Sequence, residues 1–180
     1  RDWLKPDPDD GTSLAKAHFH ATIRTGGDWI AAAGLDKCTI TGADGFGLEV
    51  QEMTYDHSDI RNPTGIVFPN NYHGIHDNTW HGFYIKRAAI RLPDELRTFD
   101  STRPPTIAVT NMLINSDGFT ASIRAENVIH YPSGNFGDWG ASIDTIFVNI
   151  VSSSLDSGGM NGQIKIPISD SSLIYSATLS

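Results

Sequence analysis

The chain has a single cysteine, Cys38, among its 180 residues, so it forms no internal disulfide and depends on non-covalent packing. Basic residues are also few and scattered: 13 Lys and Arg stand against 21 Asp and Glu, for a formal net charge of −8. Such a chain repels a phosphate backbone, so we expect no nucleic-acid partner. No apolar run approaches about 20 residues, so we expect no membrane span.

Strand-forming and turn-forming residues take up much of the chain. There are 17 glycines, and Ser, Thr, Ile, Val and Asn dominate the second half. In LAKAHFHATIR, residues 14–24, apolar residues alternate with Lys, His and Thr, which is the period of a strand with one wet face. Only GGDWIAAAGLDK, residues 26–37, indicates a helical turn. We therefore expect an all-β fold of antiparallel hairpins with little helix, arranged as a β-sandwich or jelly-roll or as a repeat-built β-structure.

The two ends of the chain differ in character. Residues 1–12, RDWLKPDPDDGT, are rich in Pro and Asp and are expected to form a linker or entry arm. Residues 13–180 are expected to form a single β-rich domain. The last ten residues, SSLIYSATLS, alternate in polarity up to the end of the chain, whereas free termini usually fray into polar tails. One interpretation is that the chain is a segment of a longer repeat protein.

Turn chemistry predicts two hairpins. The first spans residues 106–128 and turns at Asp117-Gly118, a pair that suits a type I′ turn. The second spans residues 143–168 and turns at Asp156–Gly159. In both, alternating apolar residues flank the turn, as expected for strands with one buried face.

Two strands show a change in alternation. In CTITGADGFGLEVQEMTY, residues 38–55, the apolar residues change parity, which predicts a β-bulge near Gln51 or Glu52. In GFYIKRAAIRLP, residues 82–93, apolar residues occupy both parities. We interpret the second stretch as a central strand that is buried on both faces.

A similar corner recurs along the chain, at Gly45, Gly82, Gly118 and Gly159. Each glycine is followed by Phe or Met and then by alternating apolar residues. The spacing is nearly constant, at about 36–41 residues, which is typical of repeated supersecondary units. The corner is therefore expected to be a turn whose bulky residue plugs the end of the core, either in an internal repeat or in a plain sandwich with regular hairpins.

The loop NYHGIHDNTWH, residues 71–81, contains a candidate metal site formed by His73, His76, Asp77 and His81. Imidazole and carboxylate groups are common transition-metal ligands. The alternative is that these are solvated loop side chains, because the spacing does not pre-aim two ligands as a helix would.

Aromatic residues in two loops are candidate ligand-binding groups. Tyr72 and Trp80 lie in the first loop, and Phe136 and Trp139 lie in PSGNFGDWG, residues 132–140. Such rings stack on sugar faces when they are exposed, and they cap the ends of the core when they are buried.

A weaker candidate for acid–base chemistry is the group Asp56, His57 and Asp59 in TYDHSD. The alternative is that the aspartates start loops through Asx-turns. No nucleophile or base stands at a recognisable spacing from an orienting partner, so we expect no catalytic residues and no enzyme activity.

Two short strings, GFYIKRAAIRLP and GQIKIPISD, resemble segments of large repeat-built bacterial proteins, among them secreted surface proteins and the cargo of phage-tail-like injection machines. The resemblance implies a non-enzymatic structural or interaction module of a larger secreted or surface protein, located outside the cell or at its surface. Its expected partners are other protein chains or neighbouring repeats, held through sheet edges. The alternatives are a glycan- or ligand-binding β-sandwich that uses the loop aromatics, and a hydrolase domain. No cofactor is expected, and a metal ion in the histidine-containing loop is the one candidate.

Overall fold

A computed structural model describes residues 4–7, 14–40, 43–93, 105–130, 134–136, 139–166 and 171–179 of the chain. The regular structure in these residues is β-strand, which confirms the all-β antiparallel class. The strands are β1 (Leu4–Pro6), β2 (Ala17–Ile23), β3 (Trp29–Ile40), β4 (Ala43–His57), β5 (Gly82–Arg91), β6 (Thr106–Asn115), β7 (Gly118–Ile129), β8 (Asn135–Phe136), β9 (Trp139–Gly140), β10 (Ile143–Val151), β11 (Ser154–Lys165) and β12 (Ser172–Leu179).

One antiparallel sheet of ten strands contains all of these except the ribbon formed by β8 and β9. Its order is β1-β3-β4-β5-β6-β7-β10-β11-β12, and β2 pairs with β3 on the same side as β1. Each strand from β3 onwards lies beside the next long strand of the chain, so the sheet is a meander. The described strands form one layer, whereas a sandwich stacks two sheets face to face.

The segment between β4 and β5 packs on one face of this sheet, which we call the covered face. Trp80, Tyr84 and Leu113 have no exposed surface there. The cluster is completed by side chains from the segment and from β10, namely Ile66, Phe68, Tyr72 and Val151. Hydrogen bonds fix the segment in place: Trp80 Nε1 donates to Tyr72 Oη over 3.2 Å, and Tyr84 Oη donates to the Gly65 carbonyl over 2.8 Å.

A line of irregular pairings crosses β4 and β6 at mid-length. The register of β4 shifts on either side of Glu52, which confirms the predicted bulge. In β6 the shift falls between Thr110 and Leu113, where Asn111 has a φ of +50°. An extra residue in a strand reverses the alternation of its side chains between the two faces of the sheet. Odd-numbered and even-numbered residues therefore exchange faces at the bulge.

The interpretation of residues 82–93 as a central strand is confirmed for Gly82–Arg91, since β5 lies between β4 and β6, but burial on both faces is wrong because of these bulges. β7 pairs with β10 without a register shift from Ala121 to Glu126, and Phe119 lies two residues before Ala121 on the same side of the strand. Through β6, Phe83 is in register with Phe119 and Ile90 with Ala125, and these two positions of β7 share one face. The apolar residues of β5 on both sides of the irregularity therefore face the same way, opposite the covered face.

The helical turn expected in residues 26–37 is also wrong, because Trp29–Ile40 is strand β3. Ala31 pairs with Ala21 of β2 on one side and with Tyr55 of β4 on the other. Hydrogen bonding to two neighbouring strands outweighs the small helix preference of three alanines, which is at most about 1 kcal/mol per residue.

The first predicted hairpin is present as β6 and β7, with its loop displaced by one residue. Asn115 pairs with Gly118, so the loop residues are Ser116 and Asp117. Of these positions only Gly118 has a positive φ, +122°, so the loop is not the predicted type I′ turn. A positive φ directly after a two-residue loop is tolerated best by glycine.

The second predicted hairpin is present as β10 and β11, but the turn expected at Asp156–Gly159 is wrong. Val151 pairs with Ser154, so the loop consists of Ser152 and Ser153, whose φ values are +47° and +64°. The serines are held there by the neighbouring hairpin, because Ser152 N donates to Thr120 Oγ1 over 3.0 Å. Likewise Phe119 N donates to Ser153 Oγ over 3.0 Å.

The four recurring glycines therefore do not occupy one equivalent corner. Gly82 and Gly118 begin β5 and β7, whereas Gly45 lies within β4 and Gly159 lies in the middle of β11. Gly159 is required by close packing, since a Cβ there would lie 2.9 Å from Phe147 Cε1 and against the Ala177 carbonyl. An internal repeat remains a prediction that these positions do not support.

The expected division of the chain falls partly outside the described residues. Within the predicted arm, Leu4–Pro6 pairs with Cys38–Ile40 as strand β1, while residues 1–3 and 8–12 lie outside the description. In the part of the chain that the structure describes, there is no helix long and apolar enough to cross a membrane.

The packing of β11 gives a matched test of the corrected hairpin. Gly159→Ala should lower the free energy of unfolding by about 1–3 kcal/mol, because its Cβ meets the Phe147 ring. Gly158→Ala should cost less, because its nearest neighbour is the Phe147 carbonyl oxygen at 3.3 Å. Urea unfolding of both variants checks this. Equal stabilities would contradict the register of β10, β11 and β12.

Candidate interaction surface

The sheet face opposite the covered face carries a large set of apolar side chains and is called the apolar face here. Cross-strand register assigns residues to it, since paired residues point to the same side. Six strands, β2, β4, β5, β6, β11 and β12, carry its large and substantially exposed side chains. These are Phe19, Ile23, Met53, Phe83, Ile90, Ile107, Ile114, Leu155, Met160, Leu173 and Leu179. Strands β3, β7 and β10 add apolar residues that are partly buried, among them Trp29, Ile123 and Val148.

Charged residues are excluded from the paired positions of this face in the described strands from β2 to β12. The Asp144 carboxylate is carried by the irregular end of β10, between Ile143 and Thr145. Burial and, secondarily, the Asp144 charge raise the pKa of Tyr175 on β12. Charge therefore touches the apolar face only at its margin.

Aromatic rings form a row across one end of the apolar face. The ring centroids of Trp29 and Tyr55 are 4.9 Å apart, and those of Tyr55 and Phe83 are 4.7 Å apart. Both contacts between rings are tilted, and neither is a face-to-face sandwich, which aromatic pairs disfavour. His57 extends the row, with its ring 6.2 Å from Trp29 and 5.0 Å from His81.

All three methionines of the chain lie on the same face. Met53 pairs with Ile85 and Met112 pairs with Ile85 from the other side, while Met160 pairs with Ile146. Flexible, polarizable thioethers are frequent on surfaces that adapt to a partner.

The covered face is polar where the β4–β5 segment does not reach it. A trough of about 250 Å³ lies over β3, β4 and β5, and charged side chains line it: Asp7, Lys37, Glu49, Arg87 and Arg91. Arg91 and Asp7 form an ion pair with a distance of 3.1 Å between nitrogen and oxygen. Among the described residues, the two faces therefore differ sharply in charge.

The four predicted metal ligands are not brought together. His76 Nδ1 lies 3.1 Å from the Gly74 carbonyl, and His81 Nε2 lies 3.1 Å from Asp59 Oδ1. Asp77 binds the hydroxyl and backbone amide of Thr79, and these bonds lower the pKa of Asp77. His73 is exposed. Over the described residues, no group of three His, Cys, Asp or Glu side chains is placed to hold a metal ion.

The predicted aromatic ligand-binding residues divide between core and surface. Tyr72 and Trp80 are buried in the cluster of the covered face, where neither ring is open to a sugar. Trp139 is 46% exposed in the β8–β9 ribbon. The backbone of Phe136 pairs with Trp139, and the side chain of Phe136 lies outside the described part of the structure.

The candidate acid–base residues are also separated. Asp56 faces the covered side and has no exposed surface, whereas its neighbour His57 points to the apolar face. Asp56 Oδ1 accepts from Ser58 N over 2.9 Å, which is the Asx-turn alternative. Burial raises the pKa of Asp56 to about 6, opposed in part by the Ser58 hydrogen bond and by His81 and Arg61, and reinforced by Asp28.

Sequence reasoning identified several members of the apolar face but assigned them to a core. Alternation correctly separates Phe19 and Ile23 in β2, and Leu179 in β12, from their polar neighbours, whereas Leu173 is followed by the apolar Ile174 on the opposite face. The missing information was which side the β4–β5 segment covers. No family model, curated protein or solved structure matches the chain in comparisons with known proteins.

The raised pKa of Asp56 predicts a specific dependence of stability on pH. An unfolded Asp titrates near 4, so the folded state binds a proton at Asp56 more tightly than the unfolded state does. The stabilisation from this proton is present below about pH 4 and is lost as the pH rises through about 6. Asp56→Asn should remove that loss and raise the free energy of unfolding at pH 7 by at most about 3 kcal/mol.

Urea unfolding at pH 4, 5, 6 and 7 measures this effect. Asp59→Asn is the matched control, because its side chain is 77% exposed. Parallel pH profiles for wild type and Asp56→Asn would show that Asp56 is not the responsible group.

Proposed function

We propose that the chain is a non-enzymatic structural or interaction module that associates with protein through its sheet. The observation that carries this proposal is the apolar face, which spans the sheet from β2 to β12 with charge only at its margin. Soluble monomers rarely leave contiguous apolar patches larger than a few hundred Å² exposed, and larger patches mark interaction sites. Covering such a surface contributes about 25 cal/mol per Å² of apolar area removed from water.

The edges of the sheet support the same function. β12 pairs only with β11, and β2 pairs only with β3, among the described strands. Neither AHFHATI nor SLIYSATL contains a charged residue or a proline, the usual devices that prevent pairing of an edge with another chain. Pairing with other chains or repeats through these edges therefore remains part of the proposal. The secreted or surface location expected from the sequence stays a prediction.

The alternative functions have less support. Glycan binding through Tyr72 and Trp80 would require both rings to leave the core, since Trp80 has no exposed surface. Hydrolysis by the Asp56 group would require Asp56 and His57 to act from opposite faces of β4.

Two adjacent residues of β12 provide a direct test of the proposal. Leu173 lies on the apolar face and Ile174 on the opposite face, and both are exposed, by 56% and 83%. In dilute, monomeric protein, Leu173→Glu should reduce the fluorescence of a bound hydrophobic dye such as anilinonaphthalene sulfonate, because a charge now interrupts the patch. Ile174→Glu should leave the fluorescence close to that of wild type.

The proposal fails if the monomeric chain binds no dye, since the apolar face would then not be an accessible surface. Equal loss of dye in both variants would also contradict it. Circular dichroism on each variant verifies that the sheet is retained.

A further inference from the structure

We infer that the occupant of the apolar face is the apolar face of a second copy of this chain, packed as the second layer of a two-sheet sandwich. This inference rests on the proposed function and adds the identity of the partner. It follows from the area, the charge and the relief of the face.

The area of the face suits a stable homodimer. The face is nine strands wide, with about 4.8 Å between neighbouring strands, and each strand is about nine residues long. These dimensions give an area of roughly 1,200 Å². Two such faces would bury roughly 2,400 Å² in total, within the range of about 2,000–5,000 Å² found for obligate homodimers. A smaller peptide or ligand would leave most of the face in water.

The accessible surface of the chain is also larger than that expected for a compact monomer. The chain exposes 11356 Å². A compact monomer of 19.6 kDa is expected to expose only about 8,600 Å². The difference, about 2,800 Å² per chain, exceeds the roughly 1,200 Å² of the apolar face of each copy, so a second layer would remove less than half of it.

Charge selects a neutral apolar partner over a charged one. Nucleic acid and anionic lipid surfaces are repelled by a chain of net charge −8 without a basic cluster, and the apolar face offers them no cation. A protein partner must present an equally wide uncharged face. A second copy presents one by identity, and two-fold symmetry makes one patch complementary to itself.

The relief of the face allows two layers to interdigitate. Small positions lie beside larger ones: Ala33 pairs with Phe19, Ala121 pairs with Ile150, and Gly158 pairs with Val148 and Leu179. Packed sheets are about 10 Å apart and cross at about −30°, so side chains of one layer enter the gaps of the other.

The test measures molar mass by size-exclusion chromatography with light scattering, over a dilution series of the whole chain. Wild type should give the mass of two chains rather than 19.6 kDa. Ile107→Glu, on the central strand β6 of the apolar face, should weaken the association by at least ~100-fold, because it buries an unpaired charge. Ile174→Glu, on the other face, should leave the association unchanged.

A second measurement needs no variant. Met53, Met112 and Met160 should be protected from hydrogen peroxide in the associated protein and should become oxidised at least several-fold faster on dilution to the monomer. Protection of all three at once is expected only if the whole face is covered, because they lie on β4, β6 and β11.

The outcomes separate the partner from the function. A monomer at all concentrations that binds the hydrophobic dye overturns the second copy and leaves the interaction surface standing. A two-chain species whose methionines oxidise freely, or whose mass is unaffected by Ile107→Glu, overturns the inference in favour of pairing through sheet edges. A monomer that binds no dye overturns both proposals.

Discussion

Segregation of side chains onto the two faces of one sheet is the constraint on which the rest of the structure depends. Strands alternate with a period of two, so a single inserted residue would carry an apolar set to the wrong side. The bulges beside Glu52 in β4 and at Asn111 in β6 prevent this, because they reset the alternation where the sequence changes parity. As a result Phe83 and Ile90 share a face although their spacing in β5 is odd.

The two faces satisfy their apolar residues in different ways. On the covered face the β4–β5 segment places Trp80 and Tyr72 over Tyr84 and Leu113. Trp80 Nε1 donates a hydrogen bond to Tyr72 Oη, which also accepts one from Asn115 Nδ2, so the polar atoms of both aromatic side chains have partners. On the apolar face no described segment covers the apolar side chains. Among the described residues, the chain itself removes only one of the two sheet surfaces from water, and we propose that this asymmetry makes the apolar face the site of association.

Several polar side chains from the end of β4 to the start of β5 have a structural role. Asp56 begins a turn through Ser58, Asp77 does the same through Thr79, and His81 lies beside Asp59. These short-range contacts explain why loop sequences rich in Asp and His also resemble metal sites, since Asx-turns and metal ligands draw on the same residue types. Asp56 differs from the other two aspartates because it is buried, so its charged form destabilises the folded state above about pH 6.

The sequence by itself determined the all-β class, the two main hairpins, the bulge near Glu52 and the alternation of β2 and β12, because each depends on local turn chemistry or on the period of the strand. Only the tertiary structure decided that residues 29–40 are a strand, because pairing with two neighbours overrides local preference. It also decided that Ser152 and Ser153, rather than the glycines that follow, make the turn, because the adjacent hairpin binds them. Above all it decided that Trp80 is buried while Phe19 is exposed, because burial depends on which face a distant segment covers, and no local pattern in a strand carries that information.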